Sequence, residues 1–166
     1  MKQKTISKEV KLEGPGLHFG KKTNLLIKPA KPNTGYIFIR TDIESKPEIP
    51  ALAEFVTDTS RGTTIGKNGA SVSTIEHLLA ATYSLGIDNV IFEIDGPEVP
   101  ILDGSSKYFV EAYHRAGIVE QDAPLKVYDV RENLSFTDEE RDIEINVFPD
   151  THTNFRFWLI INPIYC

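Results

Sequence analysis

Apolar and polar residues alternate in several short segments, a pattern typical of strands that bury one face. Alternation over residues 5–12 predicts one strand with a solvent-exposed face. Residues 23–28 and 36–40 are also strand-like and flank a Pro-Asn-Thr-Gly turn signal, so we predict that they pair as an antiparallel hairpin. Residues 51–56 predict another short strand. A continuous apolar run over residues 89–94 predicts a buried one.

One segment between these strands has helical periodicity. Ser73 stands where an N-cap is expected and Gly86 where the residue after a helix is expected, which predicts a short amphipathic helix over residues 74–85. The apolar positions that define it are Ile75, Leu78, Leu79 and Tyr83. Glu76 and His77 fall in its first turn, where side chains lie near open backbone N–H groups.

Glycines separate the other elements. The segment 14–20 holds three glycines and is interpreted as a tight hairpin connection. Asn68 and Gly69 form a dipeptide typical of hairpin turns. A second amphipathic helix is predicted over residues 107–116, with Gly117 at its end and Asp103 or a following serine as its cap.

Beyond about residue 122 the pattern contains strands only. They are predicted at residues 126–130, 133–137, 142–148 and 154–161, with a charged turn at 138–141. An apolar strand without a covering helix ends the sequence, so the second unit looks incomplete. We therefore predict an α+β domain over residues 1–122 and the truncated start of a second domain over 123–166.

Composition excludes several classes of function. The chain has 166 residues, 40% of them hydrophobic and 25% charged, as is usual for globular proteins. A net charge of −6 argues against non-specific binding to nucleic acid. There is no apolar run long enough to span a membrane, and the N-terminus lacks the apolar core of a signal peptide, so a cytoplasmic protein is expected. The single cysteine, Cys166, agrees with a reducing compartment.

The adjacent pair Glu76 and His77 is the main candidate for chemistry, and two interpretations are open. Ser73 and Glu76 have the spacing of a capping box, which would give Glu76 only a structural role, and His77 could be an ordinary helix histidine. Alternatively, a neutral His77 could hold a metal ion while Glu76 accepts a proton from water. The hydroxyl-rich segment 57–64, around Arg61, is either a solvated loop or a polar binding segment.

Six short motifs occur together in one order. They are Gly-x-Gly-Leu-His-x-Gly at 14–20, Pro-Asn-Thr-Gly at 32–35, Asp-Thr at 58–59, Ser-Thr-Ile-Glu-His-Leu at 73–78, Leu-Gly-Ile-Asp-Asn at 85–89 and Pro-Ile-Leu-Asp-Gly-Ser at 100–105. In this combination the sequence closely resembles the zinc-dependent UDP-3-O-acyl-N-acetylglucosamine deacetylases of lipid A biosynthesis. The resemblance implies a two-layer sandwich, a mixed or antiparallel sheet with two helices on one face, followed by the opening strands of a second, similar domain.

The resemblance also implies roles for particular residues. His77 would be one zinc ligand and Glu76 the general base. The segment Ser60, Arg61, Gly62 and Thr63 would border the substrate, an acylated UDP-N-acetylglucosamine. The family's other two ligands lie in a His-Lys-x-x-Asp motif of the second domain, and this sequence has no such motif: its other histidines are His18, His114 and His152.

These features lead to two hypotheses. The first is an N-terminal fragment of a zinc-dependent hydrolase that removes acetate from the acylated UDP-sugar; some members of the family are fused to a hydroxyacyl-carrier-protein dehydratase. The second is a non-catalytic relic or binding module that keeps the fold without the zinc site. In either case we expect the 166-residue chain alone to be inactive, to hold no stoichiometric zinc and to self-associate.

Overall fold

The computed structural model describes residues 1–127 and 129–151. The chain divides into two compact units, Met1–Leu125 and Lys126–Cys166. The strands of the first unit are β1 (Lys2–Ile6), β2 (Val10–Pro15), β3 (Lys22–Pro29), β4 (Tyr36–Arg40), β5 (Glu48–Pro50), β6 (Val56–Asp58), β7 (Thr64–Lys67), β8 (Ala70–Val72), β9 (Val90–Ile94) and β10 (Ile118–Pro124). Its helices are α1 (Glu76–Ser84), α2 (Lys107–Ala116) and a 3₁₀ helix, Ala53–Phe55.

A mixed five-stranded sheet with the order β2-β3-β9-β4-β5 forms the main layer. The middle strand β9 is antiparallel to β3 and parallel to β4. The predicted hairpin between residues 23–28 and 36–40 is therefore wrong, because β9 lies between the two strands. Tertiary packing decides the order: Phe92 of β9 and Phe38 of β4 are both fully buried, with ring centroids 4.7 Å apart.

The N-terminal alternation belongs to two strands rather than one. β1 pairs with β10, whereas β2 pairs with β3, so the predicted single strand over residues 5–12 is wrong. The chain leaves β1 at Ser7, whose N–H donates to the carbonyl of Gly117 at 2.8 Å. The predicted strand over 51–56 is also wrong. There the Ala51 N–H donates to the Tyr36 carbonyl at 2.9 Å, and the chain then turns through the 3₁₀ helix before β6 begins.

The α2 helix has the predicted bounds at both ends, and Gly117 follows it with φ 73°. The α1 helix starts at Glu76 and is shorter than predicted. Tyr83 is 67% exposed, so its placement on the buried face is wrong. The helix instead buries Leu78, Ala81 and Thr82, and the Thr82 Oγ1 lies 2.6 Å from the Tyr113 hydroxyl of α2. Close approach of the two helices leaves Tyr83 on the solvent side.

Strands β6, β7 and β8 form a separate antiparallel sheet, with Asn68 and Gly69 at the predicted hairpin turn. In the second unit β11 (Leu134–Asp138) and β12 (Ile143–Val147) lie close to the strands predicted over 133–137 and 142–148, and they pair antiparallel. No strand covers residues 126, 127, 129 and 130, so the strand predicted over 126–130 is wrong in its described part. The strand predicted over 154–161 lies outside the described residues.

The α+β prediction, with mixed and antiparallel sheets and two α-helices, is confirmed. The core of the first unit joins both helices to the five-stranded sheet. Its largest fully buried side chains are Ile6, Leu25, Ile27, Phe38, Ile49, Ile65, Leu78, Ile87, Phe92, Ile94, Phe109 and Tyr113. Among the described residues, no helix has the length and apolar character needed to cross a membrane.

Candidate active site

The start of α1 is set by contacts with a distant segment. Ser73 forms a parallel β-bridge with Glu98, in which the Ser73 N–H donates to the Pro97 carbonyl at 2.9 Å. Thr74 then turns the chain with φ 58°, a backbone conformation that a β-branched residue rarely adopts. The helix begins two residues later. Ser73 is therefore not the N-cap, and no side chain caps α1.

Glu76 faces the 60–63 loop rather than its own helix end. Its Oε2 accepts a hydrogen bond from the Thr63 N–H at 3.1 Å, across 13 residues of sequence. The capping-box interpretation is wrong, because both residues that would form the box have partners elsewhere. Among the described residues, the Glu76 Oε1 accepts no hydrogen bond. The Glu76 carboxylate is thus held at one oxygen and open at the other.

Gly62 allows the 60–63 loop to approach this carboxylate. Its φ is 149°, and a Cβ at this position would lie 2.8 Å from the Glu76 Oε1. Any other residue would strain the backbone and displace the carboxylate. The two residues before it are exposed. Ser60 donates to the carboxylate of Asp58 through both its N–H and its hydroxyl, and these bonds hold the pKa of the exposed Asp58 carboxyl below its usual value.

His77 is half-buried beside Glu76. Its backbone carbonyl accepts a hydrogen bond from the Ser106 hydroxyl at 2.9 Å, which joins the first turns of α1 and α2. Within the described part of the chain, its imidazole makes no hydrogen bond. An imidazole of this kind is free to act as a metal ligand or as a proton carrier.

The described residues offer part of a ligand set for a metal ion. An imidazole and an adjacent carboxylate are suitable ligands for zinc, which binds nitrogen and oxygen atoms. Across residues 1–127 and 129–151, however, no group of three or more His, Cys, Asp or Glu side chains could hold a metal ion. A catalytic zinc site takes three protein ligands, so these residues fit one part of such a site and do not complete it.

The glycine-rich segment 14–20 connects β2 to β3, as predicted, and also lies against the 60–63 loop. The His18 Nε2 is 3.1 Å from the carbonyl oxygen of Arg61. The His18 and Phe19 N–H groups donate to the carboxylate of Glu98. Sequence reasoning missed Glu98. The signal was a lone carboxylate in the otherwise apolar stretch from Pro97 to Pro100, which is a place where a charge needs a specific partner.

Comparison with known proteins gives a consistent result. The profile of the family described as "LpxC: UDP-3-O-acyl N-acetylglycosamine deacetylase" matches residues 3–163. A "Bifunctional enzyme LpxC/FabZ" of Chlorobaculum tepidum is 50% identical over 147 residues, which are 89% of this chain and 32% of the relative. A "UDP-3-O-acyl-N-acetylglucosamine deacetylase" of Myxococcus xanthus is 47% identical over 139 residues, 84% of this chain and 44% of the relative.

A second bifunctional relative, from Bacteroides thetaiotaomicron, is 45% identical over 162 residues, which cover 98% of this chain and 35% of the relative. The chain therefore spans between about a third and a half of the length of these curated relatives. Most of the relatives' length has no counterpart in these 166 residues.

Proposed function

We propose that this chain, which belongs to the UDP-3-O-acyl N-acetylglycosamine deacetylase family, forms the N-terminal part of a hydrolase. The hydrolase would remove acetate from an acylated UDP-N-acetylglucosamine. The observation that carries this proposal is the geometry of Glu76. Its carboxylate is held at Oε2 by the Thr63 N–H, beside an imidazole that has no hydrogen-bond partner among the described residues.

In this proposal Glu76 is the proton acceptor. Hydrolysis of the acetamide requires water to lose a proton as its oxygen attacks the carbonyl carbon, after which acetate and a free amine are formed. The Thr63 N–H occupies one oxygen of Glu76 and fixes the plane of the carboxylate, so the proton is received at Oε1. Gly62 keeps the space next to Oε1 free of a side chain.

His77 is proposed as one zinc ligand. Bound zinc would polarise the amide carbonyl and make a coordinated water more acidic. Because the described residues supply one part of a three-ligand set, we propose that the remaining ligands come from a second domain of the longer protein. In this arrangement residues 1–122 form the first domain and 123–166 the start of the second.

The 60–63 loop is proposed to border the substrate. Ser60, Arg61, Gly62 and Thr63 lie next to Glu76, and the exposed Arg61 side chain could pair with a phosphate of the UDP group. A substrate that is a sugar nucleotide agrees with a cytoplasmic location. The bifunctional names of two relatives support the further proposal that the longer protein can carry a second enzyme after the deacetylase.

The proposal is tested by Glu76→Gln in the longer protein that continues this chain. Turnover of the acyl-UDP-sugar is expected to fall by about 10²-fold or more, because the amide side chain cannot accept the proton. Bound zinc, measured by metal analysis, should be unchanged. Glu111→Gln, at an exposed position on α2, is the matched control and should leave turnover intact.

Two results would count against the proposal. Turnover of Glu76→Gln close to that of the unaltered protein would mean that Glu76 has only a structural role. Absence of turnover and of zinc in the unaltered longer protein would favour the alternative, a non-catalytic member of the family that keeps the fold.

A further inference from the structure

Glu98 is a buried carboxylate with an unusual set of partners. The residue is 1% exposed, a position that glutamate rarely occupies without compensation. Its Oε1 accepts from the His18 N–H and from the Thr74 Oγ1, both at 2.9 Å, and its Oε2 accepts from the Phe19 N–H at 2.9 Å. Burial acts to raise the pKa of Glu98, but these hydrogen bonds outweigh it and keep the pKa below the usual value.

These donors belong to two segments that are far apart in the sequence. His18 and Phe19 lie about 80 residues before Glu98, and Thr74 lies 24 residues before it. Thr74 is the residue with φ 58°, immediately before the turn that starts α1. Its hydroxyl bond to a carboxylate is a charge-assisted bond of the kind that can hold a disfavoured backbone conformation in place.

From Glu98 a continuous series of contacts reaches Glu76. Glu98 fixes the backbone of His18, and the His18 ring lies 3.1 Å from the carbonyl oxygen of Arg61. Two residues further on, the Thr63 N–H donates to Glu76. Glu98 also acts from the other side, because Thr74 precedes Glu76 by two residues. Both routes end at the same carboxylate.

We propose that Glu98 is a positioning residue that holds the 60–63 loop and the start of α1 so that the Thr63 N–H meets the Glu76 carboxylate. The inference deepens the proposed function and rests on it only for the role of Glu76. Glu98 does not touch the reacting atoms in this account. It acts through His18 and Thr74.

The site requires a carboxylate of this length. Glutamine has one acceptor oxygen, and its NH₂ group would face at least one of the three donors. Aspartate keeps both acceptors but is shorter by one methylene group. Gly16 packs directly against Glu98, and a Cβ there would lie 2.6 Å from the Glu98 Cδ, so the carboxylate has no room to take another position on that side.

The test uses trypsin on the folded 166-residue chain. Cleavage after Arg61 reports opening of the 60–63 loop, and cleavage after Lys67, the exposed last residue of β7, serves as an internal reference. Opening of the whole fold raises both rates, whereas release of the loop raises only the first. Glu98→Gln is expected to raise the ratio of the two rates by about tenfold, the effect of losing charge-assisted hydrogen bonds.

Asp95→Asn is the matched control. Asp95 also accepts two hydrogen bonds, both from Asn24 at 2.7 Å, but among the described residues it accepts none from the glycine-rich segment. The cleavage ratio of Asp95→Asn should equal that of the unaltered chain. His18→Ala leaves Glu98 intact and removes the ring beside Arg61, so it should raise the ratio as Glu98→Gln does. Glu98→Asp replaces Glu98→Gln if the latter does not fold, with a smaller rise expected.

An unchanged ratio in a folded Glu98 variant overturns the proposal. In the longer protein, Glu98→Gln should lower kcat by about tenfold while KM changes much less, because Glu76 is misplaced and the substrate-binding groups remain. A fall in stability with unchanged kcat would show a purely structural role and also overturn it. Failure of the proposed function gives a different result. The unaltered longer protein would then show no turnover, while the effect of Glu98→Gln on the trypsin cleavage ratio would remain.

Discussion

The two helices of the first unit begin in different ways. At α2, local residues organise the chain: Asp103 accepts hydrogen bonds from the N–H and hydroxyl of Ser105, and the Ser105 Oγ accepts from the Lys107 N–H. At α1, the chain is organised by Pro97 and Glu98, with Thr74 in a left-handed conformation. The candidate chemistry lies at the second kind of start, where the backbone is held by distant segments.

This difference explains why only one helix start could be predicted. A turn whose hydrogen bonds join neighbouring residues, as Asp103, Ser105 and Lys107 do before α2, can be recognised in the sequence. A start fixed by distant contacts leaves no such pattern, and the local signals at Ser73 and Glu76 indicated a capping box that does not exist. Local rules fail here because the two residues are engaged elsewhere, as is expected where a fold builds a functional site.

Among substitutions that test this difference between the starts of α1 and α2, Gly16→Ala is expected to have the largest effect on stability. The new methyl group would overlap the Glu98 carboxylate and displace it, so the free energy of unfolding should fall by about 1–3 kcal/mol. The slowed amide exchange of Leu79, whose N–H donates to the Ile75 carbonyl at the start of α1, should be lost before that of α2. Urea unfolding and amide exchange measure the two effects.

Gly14→Ala is the control for this change, because a Cβ at Gly14 meets Leu102 and Pro100 at an ordinary 3.5 Å. Its free energy of unfolding should be close to that of the unaltered chain. Equal stability of the two variants would show that the segment 14–20 tolerates displacement of Glu98, contrary to our account.

Smaller and unequal effects on stability are expected from replacing Ser105, before α2, and Ser73, before α1. Ser105→Ala removes the hydroxyl that accepts the Lys107 N–H, and it should lower the free energy of unfolding by about 0.5–1 kcal/mol. Ser73→Ala should change it by less than about 0.5 kcal/mol, because the Pro97 carbonyl still accepts the Ser73 N–H. Thermal unfolding of both variants measures the difference. The reverse order of the two effects would restore Ser73 as a cap.

Much of the fold follows from local patterns. The bounds of α2 and β4, the buried strand β9 and the turn at Asn68 and Gly69 were predicted because each depends on the periodicity or turn chemistry of its own residues. The position of β9 between β3 and β4 was not predicted. That order comes from packing of Phe92 in the core, and strand pairing over such separations leaves no local signal.

In the candidate site, too, local features were predictable from the sequence and long-range contacts were not. Glu76 and His77 were recognisable from their adjacency and from six motifs, and the 60–63 loop from its hydroxyl-rich composition. The sequence could not show that the loop donates a backbone amide to Glu76. It also could not show that Glu98 orders both segments, because that role depends on burial and on three donors from elsewhere in the chain.

The most direct test of the account is amide exchange at Thr63 in the 166-residue chain. The account holds that the 60–63 loop and α1 form one site through the bond between the Thr63 N–H and the Glu76 carboxylate. Exchange at Thr63 should accelerate by about tenfold in Glu76→Ala, as expected for loss of a hydrogen bond to a charged group, while exchange in α2 stays unchanged. An equal Thr63 rate in both chains would contradict the account.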